Sequence, residues 1–149
     1  MATIHLPKDF KEFLRLLNAH NVEYLLIGGY AVGYHGYPRA TADMDIWVAS
    51  NPPNSQKLMV VLKEFGFESA HLSASLFLKP NKIIHMGMPP LRIEINTGIS
   101  GLAFEKCFPE RVAGNLDGVP VQLISLKHLK INKQKTGCAK DINDLENLP

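Results

Sequence analysis

Tyr24 to Val48, YLLIGGYAVGYHGYPRATADMDIWV, decides how the rest of the chain is read. It opens with Tyr24-Leu25-Leu26-Ile27, an apolar run of the length of a buried strand. Gly28 and Gly29 interrupt that run, and Tyr30 to Tyr34 has helical character. Gly36, Pro38 and Arg39 mark a loop. Asp43 to Val48 reads as a second strand. Met44, Ile46 and Val48 make its core face, and Asp43, Asp45 and Trp47 share the other.

Both carboxylates therefore point the same way, roughly 6–7 Å apart along the strand. Two acids so placed repel each other and are costly to desolvate. A cation between them removes both costs, and oxygen-only ligands favour Mg²⁺ or Mn²⁺ over zinc. The Gly28-Gly29 step lets the backbone approach a ligand closely. The helix start after it offers free N–H groups and a positive dipole end, which suits a phosphate. Together these features predict a polyphosphate cradle beside a divalent-metal site, the apparatus of metal-assisted phosphoryl or nucleotidyl transfer. The plain alternative is a tight turn at the glycines and a solvent-facing edge strand at the acids. Acids at the head of a strand otherwise buried on one side argue against it.

The chain has 149 residues, with 16 Lys and Arg against 14 Asp and Glu, a formal charge of +2. That length suits one domain, residues 1–149, and the charge does not by itself point to nucleic acid. No apolar run approaches a membrane span, and the N-terminus lacks a signal pattern, so a soluble cytoplasmic protein is expected, with no membrane partner. Cys107 and Cys138 fit neither a metal knuckle nor a redox pair and read as reduced thiols.

Outward from the central stretch, Asp9 is the expected cap of a first helix to about Ala19, with Phe10, Phe13, Leu14 and Leu17 as its stripe. Ser50 to Ser55 reads as a loop and Ser55 to Phe65 as a helix stopped by Gly66. Glu68 to Pro80 reads as a short helix or an irregular loop over the site. Ile83 to Met86 and Leu91 to Asn96 predict a hairpin turning at Met88-Pro89-Pro90. Phe104 to Arg111 is short helical or irregular, Asn115 to Pro120 a turn, and Val119 to Ile124 a last strand. Ser125 caps a helix from Leu126 to Thr136 stopped by Gly137, and Asp141 and Asp144 open the final helix. The fold class expected is α/β (α+β), a mixed sheet flanked by helices.

Gly28-Gly29-Tyr30-Ala31, His35-Gly36, Arg39, Thr41 and Asp43-Met44-Asp45, in this order, resemble the signature of the nucleotidyltransferase superfamily, the DNA polymerase beta-like fold. More narrowly, they are similar to small bacterial nucleotidyltransferase-like proteins, including relatives of the AbiEii toxin of abortive-infection systems. The likeness extends from the first helix to Leu148. It implies a minimal nucleotidyltransferase fold and Mg²⁺- or Mn²⁺-dependent transfer of a nucleoside monophosphate from a nucleoside triphosphate to an acceptor hydroxyl, with release of pyrophosphate. The acceptor stays open among a small molecule, a protein side chain and RNA, and an antitoxin is a candidate partner. The superfamily places a third acid on a neighbouring strand, and Glu94 is the acid in that setting. Asp43, Asp45 and Glu94 are thus the implied catalytic and metal-binding set. Glu94 reads as general base, as third metal ligand, or as a cross-strand partner for a lysine or arginine.

Gly28, Gly29, Arg39, Thr41 and Lys133 are the implied nucleotide-binding residues. Arg39 reads equally as a phosphate clamp or a surface arginine in a turn. Thr41 also reads as a strand start, and His35 as a loop or core histidine. Lys127, Lys130, Lys133, Lys135 and Lys140 make a basic end that ordinarily is a solvated face; Lys133 matches a family lysine able to reach the triphosphate. Two positions depart from the resemblance: Glu94 stands where close relatives carry aspartate, and Cys138 where an arginine is usual. A non-catalytic nucleotide- or partner-binding member and an RNA-directed toxin-type transferase are the alternative functions.

Overall fold

A computed structural model describes residues 4–69, 72–88 and 91–149. Helix α1, Lys8–Ala19, buries Phe10, Phe13, Leu14 and Leu17 as its spacing requires. Pro7, and not Asp9, occupies its cap position, and Lys11 N–H donates to the Pro7 carbonyl. Asp9 lies inside the first turn, where its charge suits the helix dipole. Strand β1, Tyr24–Ile27, is buried at every residue and runs straight into helix α2, Gly28–Tyr34. Strand β2, Asp43–Val48, buries Met44, Ile46 and Val48, with Asp43 and Asp45 half-buried.

Helix α3, Pro52–Phe65, begins three residues before the expected Ser55. The Asn51 side chain accepts from Asn54 N–H, and proline at the first helical position is preorganised for a helix, so Pro52-Pro53 starts this one. Gly66 closes it in the left-handed region, with φ 92°. Ala74–Leu78 forms a 3₁₀ turn that buries Phe77 and is tied to the α3 end of the fold, Ser50 Oγ donating to the Phe77 carbonyl and Ser55 Oγ to that of Ala74.

Strands β3, Ile83–Met88, and β4, Leu91–Asn96, form the expected antiparallel hairpin, although Pro89-Pro90 lies outside the described residues. Helix α4, Phe104–Cys107, and a 3₁₀ turn at Phe108–Glu110 follow. Strands β5, Val112–Leu116, and β6, Val119–Leu123, make a second hairpin. Sequence reading finds only its second arm, because Gly114 and Asn115 are poor strand formers. Asp117 and Gly118, with φ 48° and 82°, supply its two-residue turn, whose backbone twist matches that of the strands. Helix α5, Leu126–Thr136, has Ser125 Oγ accepting from His128 N–H, and Gly137 at φ 63° ends it; α6 is Ala139–Asn147.

One mixed six-stranded sheet results, in the order β3-β4-β2-β1-β6-β5. The β2–β4 and β1–β6 pairs are parallel and the other three antiparallel. Helices flank the sheet, in the expected α/β class. Trp47 is buried with its ring edge-on to Phe104, 5.2 Å between centroids, so the site face of β2 turns apolar after Asp45. No helix among the described residues is long and apolar enough to cross a membrane.

Candidate active site

The register brings the acids together. Asp45 lies opposite Ile27 on β1 and Glu94 on β4, and Glu94 lies opposite His85 on β3. Directly opposed residues share a face of the sheet. Ile27, Asp45, Glu94 and His85 thus form one row, and Asp43, Arg92 and Gly87 the row beside it. Glu94 is on the same face as both aspartates.

Asp45 is the electrostatic centre of this face. Its pKa is pushed up to about 8, first by burial, then by its hydrogen bond with Glu94 and the negative charges of Glu94 and Asp43. Lys140, at the start of α6, partly offsets the rise. Arg92 Nη2 lies 3.3 Å from Asp43 Oδ2 and 3.6 Å from Glu94 Oε1, and His85 Nδ1 lies 3.2 Å from the same Glu94 oxygen. Glu94 thus neighbours the aspartates, the Arg92 guanidinium on its own strand and His85 across the hairpin, and no lysine or arginine is its cross-strand partner among the described residues.

Among the described residues no three His, Cys, Asp or Glu side chains form a ready metal cage. Mg²⁺ does not need one, since it keeps several waters and takes one or two carboxylates plus substrate phosphates. The donor set is all oxygen, and Asp45 and Glu94 face each other on adjacent strands, their mutual repulsion and the burial of Asp45 favouring a cation beside them. These residues fit a hard divalent ion on the Asp45–Glu94 pair with Asp43 alongside.

Gly28 sits against the acids. A Cβ there meets Asp45 Oδ2 at 2.2 Å, and the φ of +69° already disfavours any side chain. A Cβ on Gly29 meets Thr41 Oγ1 at 2.2 Å and Arg39 Nη1 at 3.2 Å. The two glycines thus let the backbone pass between Asp45 on one side and Thr41 and Arg39 on the other. The N–H groups that follow have no intrahelical partner.

Arg39 and Lys133 converge elsewhere. Arg39 Nε and Nη2 grip Asp144 at 2.8 and 2.9 Å. Lys133 Nζ lies 2.9 Å from Asp144 Oδ2 and 3.0 Å from Asp141 Oδ1. Burial works to raise both aspartates, but the hydrogen bonds outweigh it. Asp141 falls to about 2 through Cys138, Thr136 and Lys133, and Asp144 is lowered through Arg39 and Lys133. This buried network ties the α2–β2 loop to α5 and α6. His35 Nε2 donates to the Ile124 carbonyl at 2.7 Å, a structural role.

Most of the basic end is the solvated face expected, with Lys127, Lys135 and Lys140 exposed and Lys133 the buried exception. Lys127 pairs with Glu110, Lys130 donates to the Pro149 carbonyl, Lys133 is buried and the Lys135 stem packs on Gly101. Lys140 alone of the five turns its charge on Asp45. Sequence reading missed it, although its place just before Asp141 on a helix that must pack on α5 was a signal. A cleft of about 670 Å³ runs from Gly28 and Asp45 past Asn96 and Ser100 to Asn132 and Lys133, within the range of small-molecule sites.

No family sequence model matches the chain, and no curated protein sequence does. Solved structures do. The antibiotic-resistance factor ANT(2'')-Ia superposes with a TM-score of 0.62 at 13% identity, over 93% of this chain and 79% of that one. The lincosamide antibiotic adenylyltransferase LnuA, solved with lincomycin bound, gives 0.57 at 16% identity, over 97% of both chains. An antigenic nucleotidyltransferase-like protein from Paracoccidioides brasiliensis gives 0.54 at 20% identity, over 95% of this chain and 76% of that one. The chain shares its fold with these solved nucleotidyltransferase and nucleotidyltransferase-like structures.

Proposed function

We propose that the protein transfers a nucleoside monophosphate from a nucleoside triphosphate to an acceptor hydroxyl and releases pyrophosphate. One observation carries this reading: Asp45 and Glu94 face each other on adjacent parallel strands, directly against Gly28. Asp43, Asp45 and Glu94 would hold Mg²⁺ or Mn²⁺, which when bound neutralises charge at the phosphate oxygens. The backbone N–H groups after Gly28-Gly29 hold the triphosphate, and the charge of Lys140 acts on the same acid cluster. Glu94 accepts the proton of the attacking hydroxyl. Arg39 and Lys133 are engaged by Asp144 and position α6, while Arg39 Nη1 lies beside Gly29, Lys133 lines the cleft with Gly28 and Asp45, and Thr41 supports Gly29.

Trp47 is the single tryptophan and lies two residues from Asp45, so its fluorescence reports the site. Titration with each of the four ribonucleoside triphosphates, with and without Mg²⁺, is expected to change that signal only with metal, and Asp45→Asn to abolish the change. No response to any of the four, in fluorescence or calorimetry, would overturn the reading. A second reading, a nucleotide-binding member without transfer, is favoured by the engagement of Arg39 and Lys133 with Asp144 and by Cys138 in place of an arginine. It predicts triphosphate binding with no pyrophosphate released in the presence of small-molecule, protein or RNA acceptors.

A further inference from the structure

We propose that Arg92 is a built-in cation of the acid cluster, so that the site takes one divalent ion and not two. The proposal rests on the transferase reading and goes beyond it. Sites for phosphoryl transfer often hold two ions roughly 3.5–4 Å apart between shared carboxylates. Here a guanidinium already lies between two of the three acids. Arg92 Nη2 is 3.3 Å from Asp43 Oδ2 and 3.6 Å from Glu94 Oε1.

The register explains its position. Arg92 is opposite Asp43, two residues before Glu94 on the same strand, so its side chain leaves the sheet on the site face. An arginine keeps its charge at every working pH, and its planar fork suits carboxylates. His85 Nδ1 takes the same Glu94 Oε1 at 3.2 Å, so that oxygen already serves two protein groups. The oxygens without a direct ion pair among the described residues are Asp43 Oδ1, Glu94 Oε2 and those of Asp45, on which Lys140 acts only at longer range. They suffice for one ion that also takes water and phosphate oxygens. A second ion between Asp43 and Glu94 would stand against the guanidinium and be repelled by it.

The test counts ions on the full chain with Mn²⁺ alone, from the paramagnetic resonance signal of the free ion. Wild type is expected to bind one Mn²⁺. Arg92→Gln is expected to bind a second ion, or the first at least tenfold more tightly. Arg92→Lys, which keeps the charge, is expected to bind one ion, with a smaller change in affinity. Two ions on wild type overturn the proposal, whether or not Arg92→Gln folds. One ion of equal affinity on wild type and on folded Arg92→Gln also overturns it, and leaves the transferase reading standing. No ion on either protein, together with no metal-dependent triphosphate binding, removes both.

Discussion

Asp45 and Gly28 define the site through what each denies the other. The Asp45 carboxyl fills the space a Gly28 side chain would need, and Gly28 contributes a backbone conformation that few other residues adopt. Gly28→Ala is expected to cost about 1–2 kcal/mol from the left-handed backbone alone, and more because the new methyl must displace Asp45. In an Asp45→Ala background the cost should fall toward the backbone part, the 3.1 Å contact with the Cβ at position 45 remaining. Urea unfolding of the two single variants and the double variant measures this, and a full cost in both backgrounds would contradict the contact. Asp45 carries its own prediction. Its pKa is raised on folding, so the folded chain binds the proton more tightly than the unfolded one. That stabilisation is complete below the unfolded value of 3.8 and is lost as pH rises through about 8. Asp45→Asn removes the charge and should match wild type only below the unfolded value of 3.8, near pH 3. At pH 9 it should be more stable by at least the roughly 1.4 kcal/mol that one pKa unit represents. Melting curves at the two pH values decide it, and an asparagine variant less stable than wild type at pH 9 would contradict it.

At the level of elements, α6 depends on a residue whose importance no local pattern announces. Asp144 is fully buried and shared by Arg39 and Lys133, which come from the α2–β2 loop and α5. Removing one member of a buried ion group leaves the others uncompensated, at a cost of about 3–5 kcal/mol. Asp144→Ala is therefore expected to lower the urea midpoint sharply and to release Lys140 from its place facing Asp45, weakening triphosphate binding. A variant with unchanged midpoint and binding would show that the network is not what docks α6. The same network shows where sequence reading stops. The alternation of Met44, Ile46 and Val48 with Asp43 and Asp45 is a local signal and was legible, as were the β3–β4 hairpin and the stops at Gly66 and Gly137. The pairing of Arg39 with Asp144, 105 positions apart, is a tertiary choice between a phosphate and a carboxylate, and the sequence carries no local trace of it. Strand β5 was missed for a different reason: Gly114 lacks a side chain because Tyr34 and Leu123 pack where one would go, so tertiary packing overrides strand propensity.

The whole molecule joins two opposed titrations across one cleft. Asp141 and Asp144 are held below their ordinary value, so what they contribute is present above 3.8 and is lost as pH falls toward about 2 for Asp141. Asp45 works in the opposite sense and weakens the fold on the alkaline side. Stability without ligand should therefore peak between these limits and fall on both flanks. The two flanks should also answer metal differently. A divalent ion at Asp45 and Glu94 competes with the proton that the raised pKa of Asp45 favours, so it binds better as pH rises. Ligand that binds the folded chain alone stabilises it in proportion to its affinity. Millimolar Mg²⁺ is accordingly expected to raise the melting temperature more at pH 9 than at pH 5, with each kcal/mol gained appearing as about 2–4 °C. On the acid flank it should do little, because the Asp141–Asp144 network is already satisfied by Lys133 and Arg39. Asp45→Asn should erase the alkaline gain while leaving the acid flank unchanged. An Mg²⁺ effect of equal size at both pH values in wild type would mean that the ion binds somewhere other than this acid pair.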